Sequence, residues 1–110
     1  MISVDDVHAA AQSIAGRVRR TPVIAADNLK TPLADGVEVI LKLELLQVTG
    51  SFKARGATNK LMATDPKVLR NGIVAASGGN HGLATARAGF ASGVPVTIYL
   101  PDNATPAKIA

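Results

Sequence analysis

Cysteine and tryptophan are both absent from the 110 residues. Without thiols there is neither a disulfide framework nor a thiolate metal site. Aromatic side chains number three, Phe52, Phe90 and Tyr99, so Ala, Val, Ile and Leu must fill the core. Small side chains of this kind suit helices packed closely on a parallel sheet. The two histidines, His8 and His81, stand far apart without ligand spacing, and no metal is expected. Long apolar runs are lacking too: none approaches the ~20 residues of a membrane span. The amino-terminal stretch has no basic flank followed by an apolar segment, so no signal peptide is read from it. The expectation is a soluble, cytoplasmic protein of one ordinary domain's length.

Acidic residues are in short supply in the second part of the chain. Residues 1–40 hold four basic and five acidic side chains, whereas residues 41–110 hold eight and three, which accounts for the net charge of +4. The basic residues are scattered and almost no aromatics interleave with them, so nucleic acid is not the expected partner. A small anionic ligand, or solubility alone, fits better.

What the chain does contain is an alternation of helix-like and strand-like runs. Ser3 and Asp6 form a capping-box pattern with Val4, Val7, Ala11, Ile14 and Val18 following at helical spacing, predicting a helix from about Val4 to Ala15 that ends near Gly16. Residues 21–36 look irregular, punctuated by Pro22, Pro32 and the Asp35-Gly36 turn. A strand is predicted from Val37 to Leu43, then a helix over 52–63 with Ser51 as its N-cap. Asn71-Gly72 makes a turn before a buried-type strand, Ile73 to Ser77. A helix from Gly82 to Ser92, closed by Gly93, leads to a strand over Val94–Leu100, and Thr105-Pro106 opens a further helix. This order implies a parallel sheet with right-handed crossovers.

Two strand-to-helix turns carry the chemistry. The first, Thr49-Gly50-Ser51-Phe52-Lys53-Ala54-Arg55-Gly56, places Lys53 on the first turn of its helix. A helix amino end and burial both disfavour extra positive charge, and a neutral amine there is a candidate for Schiff-base chemistry. Arg55 nearby could add to that effect. A surface lysine in a solvated first turn remains the alternative. The second turn, Ser77-Gly78-Gly79-Asn80-His81-Gly82, lets backbone amides approach an anion such as a carboxylate, with the Asn80 side chain able to donate and accept. Its adjacent glycines do not make a dinucleotide fingerprint, and no Walker-type lysine follows. A tight turn with His81 capping the helix is the alternative here.

Together the two segments closely resemble the paired motifs of the fold-type II pyridoxal-phosphate enzymes, within which they look like the threonine/serine dehydratase and serine racemase branch. Lys42-Leu43-Glu44 ahead of Gln47-Val48-Thr49-Gly50, Thr21-Pro22, and Leu100-Pro101 agree with it. Ala54 and His81 favour this branch over cysteine and threonine synthases. The resemblance implies an α/β fold, a three-layer parallel sheet with flanking helices, present here as a partial domain. Residues 1–36 would be an N-terminal helix and connecting segment. Residues 37–110 would be a partial small α/β domain carrying the cofactor lysine and the Ser-Gly-Gly-Asn-His loop.

By the same resemblance, Lys53 would hold pyridoxal 5'-phosphate as a Schiff base and then remove the substrate's α-proton. Phe52 would pack beside the cofactor and Asn80 would hydrogen-bond its phenolic oxygen. Ser77, Gly78, Gly79, Asn80 and His81 would form the loop that grips the substrate carboxylate. The implied activity is β-elimination from threonine or serine, giving a 2-oxo acid and ammonia. Serine racemases carry a second serine where Gly78 stands, and glycine cannot transfer a proton, so racemisation is less favoured. The family runs to roughly three times this length, and the loop for the cofactor phosphate is expected in a second domain beyond Ala110. Two other readings stay open: a truncated, inactive remnant acting as a binding or structural module, and an unrelated binder of small anions. Exposed sheet and helix faces in a half-domain favour a homo-oligomer.

Overall fold

A computed structural model describes residues 1–27, 30, 31 and 36–106. The first helix, α1 (Val4–Ser13), starts where the capping box places it: Ser3 Oγ accepts the Asp6 amide at 3.1 Å, and Asp6 Oδ2 accepts the Ser3 amide at 2.8 Å. It stops two residues short of the expected Ala15, and none of its residues is buried. Ile14, just past its end, is the first core residue.

The segment expected to be irregular contains a strand. β1 (Val23–Ala25) pairs antiparallel with β2 (Ile40–Lys42), with Ile24 opposite Leu41. The predicted strand over 37–43 is thus reduced to three residues, and it joins an antiparallel ribbon instead of the parallel sheet. The ribbon is extended by Ala26 N–H donating to Val39 O at 2.9 Å and Leu43 N–H donating to Pro22 O at 3.0 Å. A 3₁₀ turn, Glu44–Leu46, follows β2 directly.

The second half is the compact part. α2 (Lys53–Met62) is followed by a short α3 (Pro66–Leu69), an element beyond those expected from the sequence. Asp65 caps α3, its Oδ1 accepting the Lys67 amide at 2.8 Å, and Pro66 takes the first helical position. β3 (Ile73–Ala76) and β4 (Val96–Tyr99) pair in parallel, with Ile73 opposite Val96, joined by α4 (Asn80–Ser92). α4 ends at Gly93, whose φ of +67° is the left-handed cap predicted for it. The helix expected from Thr105-Pro106 lies, past Pro106, outside the described residues, as do Pro32 and Asp35.

Small residues allow the close packing. α2 buries Ala54, Thr58 and Leu61, and α4 buries Gly82, Ala84, Thr85, Ala88 and Gly89. A methyl group on Gly89 would overlap Val96 Cγ2, and one on Gly82 would overlap Ser77 O, so both glycines let the α4 backbone lie directly against the sheet. Alternate residues Val74, Ala76, Thr97 and Tyr99 on β3 and β4 point away from α4 and are exposed. The described residues therefore supply the parallel sheet and one helical layer.

Candidate functional site

Lys53 is the first residue of α2. The helix begins one residue later than a Ser51 cap would require: Phe52 occupies the cap position, with no side-chain capping bond. Ser51 is buried instead, and its hydroxyl, like that of Thr49, has no hydrogen-bond partner. The Lys53 side chain is exposed, so the burial expected for it is not found. Its Nζ stands 5.0 Å from the centroid of the Phe52 ring, within the range of a cation–π contact.

An open groove of about 590 Å³ runs between α2 and α3 on one side and β3 and α4 on the other. Phe52, Lys53 and Lys60 line it from the α2 side, and His81 and Thr85 from α4. Sequence separates Lys53 from His81 by a whole strand–helix unit, and the fold brings them to one cavity. Ser77, Gly78, Gly79 and Asn80 lead into His81 along the chain but do not line this groove.

The second turn ends in an earlier helix start than expected. Asn80 and His81 are the first two residues of α4, Gly79 is its extended N-cap, and no side chain caps it. His81 therefore does not serve as the cap. The only side-chain bond within the turn is weak: Ser77 Oγ accepts the Gly79 amide at 3.4 Å. A Cβ on Gly79 would meet nothing within 4 Å, whereas one on Gly78 would come to 3.1 Å from the Pro101 ring. An uncapped helix N-terminus with open space before it suits an anion.

Arg55 does something the sequence did not suggest. It points away from Lys53 and grips Glu44, with Nε donating to Oε2 at 2.9 Å and Nη2 to Oε1 at 2.6 Å. Thr21 Oγ1 donates to the same Oε1 at 2.5 Å, and Lys42 Nζ lies 3.9 Å from it. The Arg55 hydrogen bonds lower the Glu44 pKa from 4.5 to about 2 against an opposing effect of burial, with further help from Thr21 and from the charges of Arg55 and Lys42. The cationic charge of Arg55 is thus neutralised locally and is not a free charge beside Lys53. Next to this pair, buried Gln47 bonds both ways to the Arg19 backbone: its Oε1 accepts the Arg19 amide at 2.8 Å and its Nε2 donates to Arg19 O at 2.9 Å.

Among the described residues no group of three or more His, Cys, Asp or Glu could hold a metal ion, and no helix is long and apolar enough to cross a membrane. An exposed amine facing a groove and an uncapped helix start fit an aldehyde cofactor and an anionic substrate. Comparison with known proteins agrees. Residues 14–110 match the family described as pyridoxal-phosphate dependent enzymes. The chain is 41% identical over 108 residues to a catabolic L-threonine dehydratase of Staphylococcus aureus, covering 98% of this chain and 31% of that protein. The structure of maize serine racemase superimposes with a TM-score of 0.86 at 35% identity, over 97% of this chain and 32% of that one. The processed form of threonine deaminase isoform 2 from Solanum lycopersicum does so with a TM-score of 0.78 at 28% identity, over 98% and 31%. The chain spans about a third of the length of the relatives it matches.

Proposed function

Because the chain belongs to the pyridoxal-phosphate-dependent enzyme family, we propose that it contributes the lysine-bearing part of a dehydratase that eliminates the hydroxyl of threonine or serine, yielding a 2-oxo acid and ammonia. The observation that carries this reading is the position of Lys53, exposed on the first turn of α2 and facing the groove shared with His81. Lys53 Nζ would hold the cofactor and, once released, take the α-proton of the substrate. Phe52, at 58% exposure, offers a ring face beside that amine. Asn80 would donate a side-chain N–H to the cofactor's phenolic oxygen. The amides opening α4, from Asn80 onward, would orient the substrate carboxylate, with Ser77 and the Gly78-Gly79 turn shaping the approach. Bound pyridoxal phosphate supplies the electron sink for the charge left on the α-carbon.

Gly78 favours elimination over racemisation. Racemisation needs a proton donor on the face opposite Lys53, and glycine has none to offer. The relatives include both dehydratases and racemases, so this residue is where the choice between them rests.

The test is to incubate the chain with pyridoxal phosphate, reduce with borohydride, and map the adduct by peptide mass spectrometry. One stoichiometric adduct on Lys53, lost in Lys53→Ala with the circular dichroism spectrum unchanged, is expected. Labelling spread evenly over Lys53, Lys60 and the remaining lysines would sink the assignment.

A further inference from the structure

We infer that the Glu44–Arg55 ion pair is a positioning device for Lys53, fixing the rotation of the first turn of α2 from the side opposite the amine. This rests on the reading of Lys53 as the cofactor lysine. At 3.6 residues per turn, two residues along a helix subtend about 200°, so Arg55 leaves α2 nearly opposite Lys53. A constraint on Arg55 therefore sets the direction in which Lys53 leaves the helix.

The constraint is a stiff one. Both carboxylate oxygens of Glu44 are engaged by the guanidinium, through Nε at 2.9 Å and Nη2 at 2.6 Å, and a two-point contact fixes orientation as well as distance. Glu44 is itself held, since Thr21 Oγ1 donates to it at 2.5 Å and its side chain is only 18% exposed. Arg55 Nη2 also donates to Arg19 O at 3.2 Å, and Lys42 Nζ donates to Thr21 O at 3.0 Å. The anchor is thus a frame built from residues 19–21 and the end of the β1–β2 ribbon.

Little else in this turn could do the same work. Phe52 makes no capping bond, the Ser51 hydroxyl is unpartnered, and Phe52 and Lys53 are both exposed. Ala54, at 2% exposure, seats α2 against α4 together with Thr58 and Leu61, but within the first turn it offers only a methyl contact and no directional bond. Arg55 is the side chain of the first turn whose polar contacts reach the rest of the fold.

The contact between Lys53 Nζ and the Phe52 ring offers a readout independent of any cofactor. Reductive ¹³C-methylation of the lysines gives one resonance per amine in a ¹H–¹³C spectrum, and Lys53→Arg assigns its peak. In the unmutated chain that resonance is expected upfield of the other lysines, and Phe52→Leu should abolish the displacement. Arg55→Met and Glu44→Gln release the first turn, whose loosening changes the backbone angles between Phe52 and Lys53, and should each return the resonance toward the position of the other lysines while the amide resonances of α4, β3 and β4 stay in place. Arg55→Lys, which keeps the charge but lacks the fork, should retain only part of the displacement.

An undisplaced Lys53 resonance in the unmutated chain would overturn the inference. So would an unchanged displacement in a folded Arg55→Met or Glu44→Gln, or loss of the fold in all three variants, which would make the pair a general stabiliser. Failure of the borohydride experiment with these spectra as expected would sink the cofactor assignment and leave the positioning role standing.

Discussion

Acidification offers a direct measure of what the Glu44 cluster contributes to the fold. The folded-state pKa of Glu44 lies at about 2, against 4.5 for the free group. A depressed carboxylate pKa stabilises the fold above the unfolded value and loses that contribution as pH falls through the folded one, so the loss falls between about pH 4.5 and pH 2. At about 1.36 kcal/mol per pH unit, the full shift sets a ceiling of roughly 3 kcal/mol. The Glu44 and Arg55 side chains are 18% and 29% exposed, and solvent screening brings the expected contribution to about 1–2 kcal/mol. The assay is urea unfolding followed by circular dichroism at a series of pH values from neutral down to about pH 2.5, on the unmutated chain and on Glu44→Gln. At neutral pH the variant should be the less stable by that amount or slightly more, because Arg55 is left without its partner. The gap should then close as the pH drops through the window. A gap that stays constant down to the acid end would refute the link between the Glu44 charge and stability.

Three further predictions concern packing, backbone and capping. Gly89→Ala places a methyl group against Val96 Cγ2 and 2.9 Å from Val94 O, and should cost about 1–3 kcal/mol through overpacking. Gly56→Ala, where the added carbon meets nothing within 4 Å, should instead stabilise α2 by about 0.5–1 kcal/mol. Thermal midpoints that move the same way in both variants would contradict the packing described for α4. Ser3→Ala removes the capping box of α1 at a cost of about 1 kcal/mol to that helix. Since α1 buries no residue, the loss should appear as faster amide exchange over its first turn, with little change in the global midpoint.

The helices α1, α2 and α4 are legible because their signals are local, whereas the four-residue α3 gives too short a pattern to read. Gly93 marks the end of α4 with the conformation it alone adopts easily, and the Ser3–Asp6 box marks the start of α1. Where tertiary pairing defines an element, the sequence misled. β1 is three residues long and follows a proline, so it has no periodicity to read; it is a strand because Ala26 and Pro22 bond across to Val39 and Leu43. Ser51 looked like an N-cap by type, but it is buried and unpartnered while Phe52 takes the cap position. The helix start at Asn80 was missed by two residues because glycine at the cap position carries no side-chain signal.

The same distinction separates the two halves of the site. Lys53 and the Ser77-Gly78-Gly79-Asn80-His81 turn were visible because each is a short run whose chemistry lies in its own letters. Thr21, Lys42, Glu44 and Gln47 stand in the sequence only as points of resemblance, with no role attached, for a physical reason. Their partners lie far along the chain: Thr21 meets Glu44 across 23 residues and Arg55 across 34, and Gln47 meets Arg19 across 28. Such contacts exist only once the ribbon and α2 have come together. Reading Arg55 by proximity in sequence made it a charge acting on Lys53, whereas helix geometry turns it to the opposite side and pairs it with Glu44. In the folded chain it acts on Lys53 through orientation, which is why its removal should move the lysine and leave the sheet in place.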